Sequence, residues 1–137
     1  MESVFRAGDE LSQIFEQNNL KRNSLKPGDK EYFYYSKRHP LSIKFDNHSI
    51  YLLNHGRCIK SMLEVSPSEV KLLILCLKLN TAQLRALFPG GIFKHFPANT
   101  FDYFRQKHTY LLDSGSRMTN KDVLHLEILR FYDEIFL

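Results

Sequence analysis

Six histidines, two cysteines and fifteen carboxylates are the side chains of this 137-residue sequence able to hold a metal or move a proton. Metal binding asks for such ligands at short, fixed spacing, so that one helical turn or one tight loop aims them at a point. His39, His48 and His55 instead surround one short stretch, while His95, His108 and His125 fall on separate segments. No H-x-x-x-H or C-x-x-C joins any two of these residues. Gly90-Gly91 is an isolated pair, without the spaced glycines that bring backbone amides against a phosphate. No serine stands in the G-x-S-x-G context of a nucleophile elbow. The pattern points away from enzymatic activity and implies no cofactor.

The formal charge of +4 is compatible with an anionic partner, but cations and carboxylates are interleaved along the chain. Three stretches are locally dense in positive charge: Lys21-Arg22, Lys37-Arg38-His39 and Arg105-Gln106-Lys107-His108. The remainder reads as a solvated surface. Cys58 and Cys76 lack metal-ligand spacing and no signal peptide precedes them, so the expected compartment is the reducing cytoplasm. The longest apolar run, 72–77, is far too short for a bilayer, and no membrane partner is expected.

The elements that would position these groups follow from hydrophobic spacing. In the segment 40–54, Leu41, Ile43 and Phe45 alternate with polar residues, and Ile50, Leu52 and Leu53 follow a polar Asp46-Asn47-His48-Ser49 cluster. That is a hairpin signal. Ahead of it, Val4, Leu11, Ile14, Phe15 and Leu20 predict an amphipathic helix within 2–20, and residues 23–29 a polar linker. Residues 30–36, with four consecutive aromatics, are expected as a short helix, and 57–63 carries apolar side chains at helical offsets. Ser66-Pro67-Ser68-Glu69 is a capping box with proline at the first helical position, so a hydrophobic helix follows it. A shorter helix is expected over 82–88 and a longer one over 97–113, ended by Gly115. Residues 123–129 and 131–137 read as two β-rich runs.

Pro40, Ile43, Lys44, Ile50, Tyr51 and Asn54, together with Phe96-Pro97, Phe101, Phe104, Leu111, Leu112 and Ser114-Gly115, carry a family resemblance. The segment 30–137 resembles a PAS domain, as found at the front of LuxR-type and TraJ-type bacterial transcription regulators. The resemblance implies an α+β fold, an antiparallel sheet with helices packed on one face, preceded here by an N-terminal helix and linker in 1–29. It implies a non-catalytic sensory and dimerisation domain, with DNA bound by a separate C-terminal domain. A small-molecule ligand would sit against Ile43, Phe45, Tyr51, Leu53, Phe96, Phe101 and Phe104, residues that serve equally as ordinary core. A homodimer would form through the leading helix, by Val4, Leu11, Ile14 and Phe15, whose stripe serves equally for packing within one chain. The sequence ends about one strand short of the family's sheet, which implies a fragment or a sheet completed by a partner.

Two readings from other classes stand beside this one. Residues 66–112 also read as three helices behind strands, similar to a winged-helix DNA-binding domain of the OmpR type, with Arg105, Gln106, Lys107 and His108 at the DNA. A protein-interaction adaptor, pairing through an edge strand or the N-terminal helix, shares most of the same features.

Overall fold

The computed structural model describes residues 4–23, 31–91 and 99–135. They form an α+β structure with five helices and a five-stranded antiparallel sheet in the order β1-β2-β3-β4-β5. The chain divides into two compact units, one reaching to Lys78 and one running from Leu79 to Ile135. The boundary falls after the hydrophobic helix.

The first unit contains α1 (Asp9–Gln17), β1 (Lys21–Asn23), β2 (Tyr32–Tyr35), β3 (Leu41–Phe45), β4 (Ile50–Asn54), β5 (Arg57–Met62) and α2 (Pro67–Lys78). The expected hairpin is its centre, pairing Ile43 with Leu52 and Phe45 with Ile50. Its turn is closed by Asp46, whose Oδ1 accepts from the backbone N–H groups of His48 at 2.8 Å and Ser49 at 2.7 Å. Alternation along the pleat sends Ile43, Phe45, Ile50 and Leu52 to one face, where Tyr34 of β2 joins them opposite Ile43. On that face α1 buries Phe15, with ring centroids 5.2 Å from Tyr34 and 5.3 Å from Phe45. Helix α2 packs along β3. It buries every side chain from Leu72 to Leu77, as its unbroken apolar run requires. The capping box at its start closes from both sides: Ser66 Oγ accepts from Glu69 N, and Glu69 Oε1 accepts from Ser66 N.

Two segments expected as helix are strands. Tyr32–Tyr35 lies between β1 and β3, where aromatic side chains suit a pleated, half-buried surface. Arg57–Met62 is the return arm of a second hairpin, because His55 (φ 49°) and Gly56 (φ 81°) form a two-residue turn with both central residues left-handed. That turn matches the twist of the strands it joins, so the chain continues as sheet. Its pairing with β4 carries a register shift at Leu52 and Leu53, which pair with Lys60 and Cys58.

The second unit contains α3 (Thr81–Leu87), α4 (Thr100–Ser114) and α5 (Asn120–Glu134). Asn80 caps α3 through a reciprocal pair with Gln83, both bonds at 2.9 Å. Gly115 ends α4 in the left-handed conformation, as its sequence position requires. The segment expected as two β-rich runs is the single helix α5. Thr119 and Asp122 form a capping box at its start, and His125, Ile128 and Leu129 bury one side at helical spacing. Packing of that stripe overrides the strand preference of its branched residues. All strands among the described residues therefore precede α2, and the later strands implied after Ser114-Gly115 are not formed by residues 116–135.

Candidate functional site

The ligand-lining set divides once it is placed on the fold. Ile43 and Phe45 are buried on the helix-covered face of the sheet. Tyr51 and Leu53 are odd-numbered neighbours of Leu52 on β4, so the pleat sends them to the opposite face. There Tyr51 stands opposite Lys44, whose Nζ lies 4.8 Å above its ring. Four hairpin residues cannot line one cavity from two faces of a sheet. Phe101 and Phe104 belong to the second unit, where they build its core: Phe101 stacks on Tyr132 at 3.6 Å and Phe104 on His125 at 4.3 Å. Phe96 lies outside the described residues.

Two openings of the first unit lie at the hairpin tip. One, of about 690 Å³, is lined by Arg6, Ala7, Asn47, His48, Met62, Leu63 and Glu64, and gapes to solvent. A smaller one of about 210 Å³ includes Asp9, Ser12, Tyr32 and Phe45. The Arg6–Glu64 contact at 3.5 Å joins two exposed side chains and contributes little. Neither opening has the enclosure that removes most of a small ligand from water.

The dimer-helix set is used inside the chain. Leu11 and Phe15 are fully buried against their own unit, leaving Ile14 half-buried and Val4, ahead of the helix, half-exposed. An amphipathic helix has one apolar stripe, and here the sheet occupies it.

The four residues expected at DNA are not presented together. Arg105 grips Asp133 of α5 with both terminal nitrogens, one at 2.7 Å. Lys107 Nζ is 2.8 Å from Asp122 Oδ1. His108 is half-buried beside Leu111 and Met118, and Gln106 is exposed. The helix thus turns its cations toward its neighbour, because α5 supplies a carboxylate opposite each.

Lys107, Asp122 and His125 come together in the second unit. Lys107 and the hydrogen bonds from Thr119 hold the Asp122 carboxyl below the usual carboxylate range. His125 is buried with Nδ1 unpartnered, and burial, reinforced by Lys107 and Lys121, pushes its pKa down. The capping role accounts for Asp122 and the ring stack for His125, so the cluster is architectural. Among the described residues no three His, Cys, Asp or Glu side chains converge as metal ligands. None of the described helices is long and apolar enough to cross a membrane.

The outward side of α4 carries apolar side chains that belong to none of the expected ligand, dimer or DNA sets. Tyr103 is 54 % exposed and Tyr110 67 % exposed. Seven residues apart, they lie two turns along the same side, with Gln106 between them. Leu112 in the last turn and Val123 of α5 are also exposed. Their signal was present as Tyr103 and Tyr110 falling out of phase with the buried Phe101 and Phe104.

No family model, no curated protein and no solved structure matches this chain.

Proposed function

We propose that this chain is a non-catalytic dimerisation module of a bacterial transcription regulator, with two copies meeting through the outward face of α4. The observation that carries the reading is the Tyr103–Tyr110 ridge. Two large rings two helical turns apart, set on a helix whose opposite side is already packed, offer rigid apolar area at small entropic cost. The regulatory part rests on the resemblance in 40–54, where the expected hairpin forms, and the DNA-reading part belongs to a separate domain. Ligand sensing stands outside this reading, because Ile43 and Phe45, Tyr51 and Leu53, and Phe101 and Phe104 divide between two sheet faces and two units. The dimer assignment shifts from α1 to α4 for a physical reason: α1 has no apolar stripe left.

Sedimentation equilibrium of the purified chain between 5 and 100 μM tests this. The expected result is twice the chain mass, reverting to one in a Tyr103→Ser/Tyr110→Ser variant whose helical circular dichroism is unchanged. A monomer throughout that range, or a dimer indifferent to both substitutions, refutes the reading.

A further inference from the structure

The two turns at one end of the sheet, β2–β3 and β4–β5, lie side by side, because His55 N–H donates to Pro40 O at 2.8 Å. The start of β1 reaches the same end, since Lys21 pairs with Tyr35. This gathers Lys21, Lys37, Arg38 and Arg57, all exposed, at one edge of the first unit. Among the described residues none of the four is in an ion pair. The nearest carboxylate along the chain, Glu16, is engaged by Arg22 at 3.8 Å. His39 and His55 add two further imidazoles, His39 accepting from Leu41 N–H through Nδ1. The carboxylates Asp46 and Glu64 lie at the opposite end, in the β3–β4 turn and beyond β5, and Asp9 lines the opening there. The turn end therefore gathers four cations outside any ion pair while these carboxylates lie at the other end, where Arg6 pairs with Glu64, a grouping invisible in the interleaved sequence.

We infer that this turn end is a docking surface for the phosphate backbone of duplex nucleic acid, so that the chain itself contacts DNA beside whatever domain reads the sequence. Three features favour that partner. The cations run from β1 to β5, four strand spacings or about 19 Å, a length over which duplex DNA presents about eleven phosphates. All four can therefore be neutralised at once. The two turns that carry them are fixed: Arg38 (φ 62°) and His55 (φ 49°) hold left-handed conformations between the flanking ladders. Fixed cations position a backbone without reading bases. An anionic lipid surface fits less well, because the residues of 37–39 and 54–57 include no large apolar side chain to enter the acyl region.

The test is fluorescence anisotropy of a labelled mixed-sequence 20-base-pair duplex, titrated with the full chain from 50 to 200 mM salt. Four neutralised phosphates per bound chain give a log–log slope near −3.6, or roughly a 100-fold loss of affinity over that range. An Arg38→Gln/Arg57→Gln variant is expected to halve the slope to about −1.8. A Lys121→Gln/Arg130→Gln variant, with the same charge removed from α5, is expected to leave it unchanged. No binding at 50 mM salt overturns the inference, and so does binding whose slope ignores the turn substitutions. Binding to phosphatidylserine vesicles in place of duplex overturns it in favour of a membrane surface. The Tyr103→Ser/Tyr110→Ser variant separates this from the dimer proposal, since its per-chain slope is expected to match the parent.

Discussion

Replacing Phe15 by alanine distinguishes a helix that belongs to its own sheet from one that pairs with a second copy. The ring is fully buried, 5.2 Å from Tyr34 in an edge-to-face contact and 5.3 Å from Phe45. Truncating a buried phenylalanine removes its transfer free energy and leaves a cavity, together about 3–5 kcal/mol. The edge-to-face contact accounts for about 0.5–1.5 kcal/mol beyond burial. Ile14, on the same helix but half-buried, is expected to cost about 1 kcal/mol when cut to alanine. The assay is urea unfolding followed by far-ultraviolet circular dichroism, the chain having no tryptophan. Phe15→Ala should bring the first transition down by most of a small domain's stability, at all protein concentrations. If Phe15→Ala instead shifts the midpoint by less than about 1 kcal/mol and lowers only the sedimentation mass, the helix is an interface. The packing argument is then refuted.

Three further outcomes follow from individual residues. His55→Asn creates Asn-Gly in the two-residue turn and should stabilise the first unit by about 0.5–1 kcal/mol, whereas Gly56→Ala, at φ 81°, should destabilise it by about 1–2 kcal/mol; urea midpoints check both. His125 has a folded pKa below its unfolded value of about 6.5, so its contribution is intact above that pH and is lost as pH falls through the lower folded value. The melting temperature should therefore drop between pH 7 and 5, a step that His125→Phe, keeping the stack on Phe104, is expected to remove. Asp122 acts at lower pH with the same sign: its carboxylate form stabilises the α5 cap above the unfolded value near 3.9, and that stabilisation is lost as pH falls through the depressed folded value. Asp122→Asn should flatten this acid limb in a pH series of thermal melts.

Sequence by itself determined the elements whose signals are local. Alternation fixed β3 and β4, the Ser66–Glu69 pair fixed where α2 begins, and Gly115 fixed where α4 stops, because each depends on backbone geometry within a few residues. The α+β class and the N-terminal helix followed from the same signals. Tertiary structure decided the rest. Tyr32–Tyr35 and Arg57–Met62 are strands because neighbouring strands supply their hydrogen bonds, and residues 120–134 are a helix because one buried stripe outweighs branched-residue preference. It also decided which residues share a surface. The pleat parted Tyr51 and Leu53 from Ile43 and Phe45, and α5 took up Arg105 and Lys107. Lys21, Lys37, Arg38 and Arg57 are scattered over 37 positions of the chain. Antiparallel pairing returns the backbone to the same end every second strand, and that brings their charges together.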